Sequence, residues 1–327
     1  MSALAWVVGR GGLLGSSVER ALGPKAWRPE RPLAWSPRER LADSIEEAVR
    51  AFADRLEARS GEGWNLYWCA GAGVVGTSVA ALEAETAALR LFLDCLGAEP
   101  RLRDLPGRIF LASSAGGVYG GSRERPLTEA TPPLPISDYG RGKLAQEVAL
   151  AAWAAGRPRV STLVGRLANL YGPGQRLDKP QGLISHMCRC LIFGVPVHLY
   201  VPLDTIRDYL FAEDAGRRLV AGLARLAREA PGGRHVTKIY ASERETTVAG
   251  LIGVFRRLAR RQLRVVSGLH PVRAQQPARL QFRSTVWRDE ADSARTELLE
   301  GVSRVHRHQL ALFQAGRLPA PPLGPPP

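Results

Sequence analysis

The chain has 327 residues, 45% of them hydrophobic, with a formal charge of +14 and a pI near 10.4. It contains no run of 18 or more apolar residues and no charged segment leading into an apolar leader, so no membrane span is read and a soluble, cytoplasmic protein is expected. The four cysteines (Cys69, Cys95, Cys188 and Cys190) are spaced as neither a disulfide framework nor a paired zinc site. Only four of the 45 basic residues are lysines, and the arginines are scattered. That scatter makes a solvated basic surface, not a nucleic-acid footprint, so no nucleic-acid partner is expected.

Leu4-Ala5-Trp6-Val7-Val8 is a short apolar run with the character of a buried parallel strand. It leads into Gly9-Arg10-Gly11-Gly12-Leu13-Leu14-Gly15 and then a helical stretch from Ser16 to Leu22. Glycines at 9, 12 and 15 match a turn whose first glycine permits the reversal and whose second admits a pyrophosphate. The third lets helix and strand close up. An NAD site would carry a carboxylate about 20 residues further on. Here the second strand is expected at Pro32–Trp35, followed by Ser36-Pro37-Arg38. Ser36, Arg38 and Arg10 are suited to a ribose 2′-phosphate, which favours NADP over NAD; the plainer reading is that both arginines are simply exposed.

Leu41, Ile45, Val49, Phe52 and Leu56 recur at helical spacing between Arg38 and about Arg59, so early that a third strand is reduced or lost. Asn65–Cys69 reads as a strand ending in Ala70-Gly71-Ala72-Gly73. Small residues such as Cys69, Ala70 and Gly71 at a strand's carboxyl end suit a cofactor lying across the sheet edge, or a plain loop. An Ala/Leu-rich helix follows from Val79 to Leu96, with apolar residues on more than one side.

The next strand, Arg108–Ala112, delivers Ser113 and Ser114, hydroxyls placed to hold a reacting oxygen. A Pro-rich loop, Pro126–Pro135, hands the chain to Asp138, read as an N-cap, and to a helix running to about Ala155. Tyr139 and Lys143 lie one turn apart on one face of that helix. An ammonium beside a phenol favours the phenolate, which suits proton exchange with a sugar or alcohol hydroxyl near neutral pH. Such pairs also arise by chance on solvated surfaces.

With these pieces in order, the chain resembles extended short-chain dehydrogenase/reductases of the NAD-dependent epimerase/dehydratase family, which act mainly on nucleotide sugars. The matching segments are GRGGLLG, CAGAG, SSAGGVYG, PLTEATPPLPISDYGRGK, GRLANLYGPG and IRDYLFAEDAG, spread over residues 5 to about 215. The resemblance implies that Tyr139 is the general acid/base and Lys143 its activator and nicotinamide-ribose contact. It implies that Ala115, Gly116, Asn169, Arg207 and Arg273 lie at a nucleotide-sugar substrate. Asn169 also reads as a turn residue, and Arg207 as an ion-pair partner of Asp208 or Asp214. Two departures stand out. Ala115 occupies the position of the family's catalytic hydroxyl, a role Ser114 is placed to assume. Gly116-Gly117 replaces the acidic pair of the family's dehydratases, so dehydration is disfavoured. The Val79–Leu96 and Asp138–Ala155 helices resemble those of the family's dimer interface, which makes a homodimer the expected assembly.

Helices are expected at Leu183–Phe193, Ala215–Arg228 and Leu299–Phe313, and short strands at Pro196–Tyr200 and Thr237–Tyr240. Thr246-Thr247 caps a further helix running to Arg260, and His186 and His198 are read as ordinary residues, not metal ligands. The expected architecture is α/β. A Rossmann-type doubly wound parallel sheet spans 1–172, with parts of 205–240 returning to it. A smaller α/β substrate lobe spans 173–315, and 316–327 is a disordered Pro-rich tail. The expected function is NAD(P)-dependent epimerisation or ketoreduction of a nucleotide-linked sugar. The alternatives are reduction of a non-nucleotide carbonyl compound, or a catalytically weak cofactor sensor.

Overall fold

Strand β1 (Leu4–Val8) lies between β2 (Ala26–Trp27) and β3 (Trp64–Trp68), and β4 (Gly107–Ser114), β5 (Val160–Leu167) and β9 (His235–Tyr240) extend the sheet from β3. All five pairings are parallel. The computed structural model describes residues 3–59, 63–177, 182–229, 232–259, 263–268, 277–289 and 295–321.

Side chains alternate across the pleat. Leu4, Trp6, Val8, Trp64, Leu66, Trp68, Ile109 and Leu111 enter one core, against α2 (Arg38–Glu57), α3 (Val79–Ala98) and α6 (Asp138–Ala155). Ala5, Val7, Tyr67, Phe110 and Leu163 enter the other, against α1 (Leu13–Leu22) and α8 (Ala212–Glu229). The result is a doubly wound α/β domain. Trp6 anchors the first core, with ring centroids 5.0 Å from Trp27, 5.4 Å from Phe52 and 5.1 Å from Phe92. Trp6→Ala there costs about 3–5 kcal/mol. A single helical turn, α4 (Pro100–Arg103), precedes β4.

The second strand differs from expectation. Only Ala26–Trp27 pair with β1, and the Pro29- and Pro32-containing stretch that was expected to do so is coil, since proline brings no N–H to a ladder. Among the described residues no strand lies outside β2, and α2 follows the coil directly. Strand β5 was not among the expected strands. Ser161, Thr162 and Arg166 interrupt its apolar run, yet all eight residues are buried.

The second lobe packs α7 (Leu183–Phe193), β7 (Val197–Leu199), α9 (Val248–Ala259), β11 (Val265–Ser267) and α10 (Leu298–Gln314) around its own core, including Ile184, Met187, Leu251, Phe255 and Val305. Between the lobes runs a three-stranded sheet of β10 (Glu245–Thr247), β8 (Ile206–Phe211) and β6 (Asn169–Tyr171). Thr247 caps α9 by accepting from the Gly250 N–H at 2.9 Å. Glu129, in the loop before α6, accepts from Ile239 N–H at 2.8 Å on β9. It also accepts from the Ser284 hydroxyl at 2.6 Å and Thr285 N–H at 2.7 Å. Leu127 forms a bridge with Phe282 beside it. The start of the tail is not free: Leu318 is buried, while 322–327 lie outside the described residues.

Candidate active site

The glycine turn is built by close packing. Gly9 has φ +87°, and a Cβ there would stand 2.5 Å from the Ala70 nitrogen. A Cβ on Gly15 would collide with the Gly9 carbonyl, so α1 sits directly on the turn. Gly11 has nothing within 4 Å of its Cβ position, and α1 begins at an N-cap, Gly12, with no side-chain cap and no acidic residue in its first turn. The N–H groups of Leu13, Leu14 and Gly15 thus form an uncapped helix N-terminus, which fits a pyrophosphate. That open cradle, bounded by the Cys69–Ala70 backbone, fits a dinucleotide.

The chain at the end of β2 is Arg28, not Ser36. Arg28 and Arg10 share the carboxylate of Glu19, at 2.8 and 3.8 Å. Ser36 is exposed in a loop whose Trp35 packs edge-on against Trp68 at the carboxyl end of β3, with centroids 6.2 Å apart. Arg38 opens α2; its side chain lies outside the described part, as does Arg273 altogether.

Strand β4 ends on Ser113 and Ser114, and successive residues face opposite ways. The Ser113 hydroxyl, expected at the reacting oxygen, instead donates to Glu147 at 2.5 Å. Glu147 is held in turn by Arg166, at 2.7 Å from its Nη2, and Arg166 also reaches the Tyr119 hydroxyl. Ser114 faces the other way. It caps the one-turn helix α5 (Ala115–Val118) by accepting from Gly117 N–H at 3.1 Å, and it hydrogen-bonds the Tyr139 phenol. The expected cap of α6, Asp138, lies instead in the first turn and pairs with Arg141; Ser137 is the N-cap, accepting from Gly140 N–H at 3.1 Å.

A Cβ on Gly117 would stand 3.2 Å from two ring atoms of Tyr139, and one on Gly140 would strike the Gly117 carbonyl. This glycine pair lets α6 deliver the Tyr139 ring onto α5. Ala115 is fully buried, and Leu280 lies 3.2 Å from the Cβ position of Gly116. The Lys143 ammonium is 5.9 Å from the Tyr139 ring centroid and donates to Gln146 Oε1 at 3.1 Å and Ala112 O at 3.5 Å.

The phenol is not acidified. Burial pushes Tyr139 above its ordinary value and the Glu85 carboxylate adds to this, while the Ser114 bond acts the other way. Burial pulls Lys143 down, opposed by Glu85, Cys69 and Glu147. Burial, joined by one unforeseen carboxylate, sets the direction, and what opposes it is the Ser114 hydrogen bond, not the ammonium that was expected to dominate. The signal for Glu85 was a carboxylate in α3 beside the buried Thr86, one helical turn after Leu82; for Arg28, a cation closing an apolar pair before Pro29.

Asn169 opens β6 at the exposed end, level with Tyr209 of β8. Arg207, two residues earlier on β8, is buried and donates to Ile206 O at 2.9 Å and Ala278 O at 3.4 Å. Asp214 pairs with Arg217, and Asp208 accepts from Ser242 N–H at 2.8 Å. His186 Nε2 lies 3.6 Å from Cys190 Sγ, one turn on. Among the described residues no group of three metal-ligating side chains converges, and no helix is long and apolar enough to cross a membrane.

Comparison with known proteins identifies the frame. Over 116 residues, 36% of each chain, the sequence is 31% identical to the dTDP-4-dehydro-6-deoxyglucose reductase of Escherichia coli. Further curated relatives are named as nucleotide-sugar 4-epimerases and dTDP-glucose dehydratases. The chain spans 36%, 30% and 47% of the length of the first three of these proteins. Among solved structures it shares its fold with MoeE5 in complex with UDP-glucose and NAD. The TM-score is 0.74 and the identity 22%, over 94% of this chain and 99% of that one. RMD from Pseudomonas aeruginosa complexed with NADPH gives a TM-score of 0.74 at 20% identity, over 94% and 98%. The model of the NAD dependent epimerase/dehydratase family matches residues 71–236, and the chain belongs to that family.

Proposed function

We propose that the protein is an NADP-dependent enzyme that moves hydride to or from a carbon of a nucleotide-linked sugar, with reduction of a keto-sugar the favoured direction. The observation that carries this is the phenol of Tyr139, hydrogen-bonded by Ser114 and flanked by Lys143, at the carboxyl edge that also holds the glycine turn. When bound, a nicotinamide cofactor supplies the hydride. Gly9 to Gly15 would hold its pyrophosphate on the α1 N-terminus, Cys69, Ala70 and Gly71 would wall the crevice, and Lys143 would bind the nicotinamide ribose. Ser114 and Tyr139 hold the carbonyl oxygen of the sugar. As the carbon accepts hydride, the phenol O–H bond breaks and an alcohol O–H bond forms; the phenolate then regains a proton from solvent.

A phenol held protonated is a donor, which supports reduction over an oxidising first step. Arg28 at the end of β2 and Arg10 in the glycine turn oppose two guanidiniums to one carboxylate, a balance that supports a 2′-phosphate and hence NADP. Asn169 and Arg207 are assigned to the nucleotide diphosphate. Gly116 and Gly117 bring no carboxylate to the sugar, which weighs against dehydration. Val79 and Val148, half or more exposed on the adjacent helices α3 and α6, support a homodimer through that face.

The test is NADPH oxidation against a panel of UDP- and dTDP-linked keto-sugars. Turnover with net oxidation is expected. Tightly held NAD released on denaturation, with interconversion of sugar isomers, would move the assignment to an epimerase. Tight NADP binding without turnover of any sugar would favour a cofactor sensor, the reading to which Ala115 points.

A further inference from the structure

Glu85 follows the buried Leu82 by three residues and precedes the buried Thr86 on α3. Its Oε1 accepts from the backbone N–H of Ala72 at 2.5 Å and of Gly73 at 2.7 Å, fixing the loop after β3. Its Oε2 is buried without a hydrogen-bond partner. That oxygen lies 3.2 Å from the Cβ position of Gly71, and the Lys143 ammonium lies 3.5 Å from the same point. The two groups face one another across a residue with no side chain to part them.

A buried oxygen left without a donor is costly. A donor is close by, because an ammonium has three N–H bonds and Gln146 and Ala112 accept two from Lys143. Resting on the site read above, we propose that Glu85 is a positioning residue: one oxygen clamps Ala72 and Gly73, and the other balances the Lys143 ammonium and places a negative charge beside Tyr139, setting the site to rest as a proton donor. Three titratable groups besides Tyr139 face Lys143: Glu85 from α3, Cys69 from the end of β3, and Glu147 from α6 itself. Burial holds the Cys69 thiol far up, hence neutral. Glu147 is already engaged by Ser113 and Arg166. Glu85 alone of the three has an oxygen uncommitted. The directions of ionisation agree, since Glu85 draws Lys143 up against its burial and reinforces burial in raising the Tyr139 phenol.

The test is made on cofactor-free protein. Tyrosinate absorbance is followed into alkaline pH for wild type, E85Q and E85A, each against the same protein carrying Y139F, so that the difference reports Tyr139. In E85Q, which keeps an acceptor for the loop, the midpoint is expected to move to lower pH. The difference signal at a fixed pH on the rising limb should grow about tenfold, as for loss of one nearby charge. E85A should show the same shift and also bind NADP more weakly; if E85Q fails to fold, E85A carries the measurement. An unchanged midpoint in a folded variant overturns the proposal and leaves Glu85 a loop anchor. Failure of the wild type to bind NADP would instead overturn the functional reading, since the titration needs no cofactor.

Discussion

Ser113 donates its hydroxyl hydrogen bond to Glu147, 2.5 Å away in the interior, while its neighbour Ser114 faces the Tyr139 phenol. Two adjacent serines therefore have opposite fates on mutation. Ser114→Ala should lower kcat about 100-fold or more, the scale of one lost donor at a reacting oxygen. Ser113→Ala should leave kcat within a few-fold and cost about 1–2 kcal/mol of stability. Steady-state kinetics beside urea unfolding separates the two; equal losses of activity would contradict the parity of β4.

The buried pair behind them makes a sharper demand. Glu147→Gln leaves the Arg166 guanidinium uncompensated in the core and should cost about 3–5 kcal/mol, read as a lower urea midpoint. A variant as stable as the wild type would mean that the pair does not hold β5 to α6.

Tyr139→Phe removes the proton but keeps the ring that rests on Gly117. Turnover should fall about 10²- to 10⁴-fold, with NADP affinity unchanged by fluorescence titration. Retained turnover would remove Tyr139 from the chemistry.

Arg28→Ala should weaken NADP binding roughly tenfold and leave NAD binding alone, the loss expected of one charge-assisted bond. The NADP preference should also fall with added salt, because Arg28 is exposed. Equal effects on both cofactors would place the 2′-phosphate elsewhere.

Burial pushes Asp208 up to about 6, outweighing the N–H donors of residues 242–244. A carboxyl raised by folding stabilises the fold fully below its ordinary value, and that contribution is lost as pH rises through about 6. Asp208→Asn, which keeps an acceptor for Ser242 N–H, should flatten the stability slope between about pH 4 and pH 7. The stability change removed across that range should be on the order of 2–3 kcal/mol. Denaturation midpoints across that range provide the measurement.

The glycine turn and the Tyr139–Lys143 face were legible in the sequence because each is a local pattern in which spacing alone decides geometry. The second strand was not, since two residues, Ala26 and Trp27, carry no periodicity and are recruited only by pairing with β1. The parity of Ser113 and Ser114 depends on the register of β4 in the sheet, which no local pattern reports. Arg166 broke the apolar run of β5 because its charge is answered by Glu147, nineteen residues earlier. The direction of the Tyr139 ionisation was misread for the same kind of reason, as Glu85 reaches the site from a separate helix.

Glu129 stitches three distant stretches with one carboxyl group, joining the loop before α6 to β9 and to Ser284 and Thr285. The 282–285 segment is thereby tied to β9 and to the loop before α6, and Leu127, Leu280, Phe282 and Trp287 share the core that also holds Val7 and Phe110. Glu129→Ala would release that segment from β9 without touching any group assigned to the reaction.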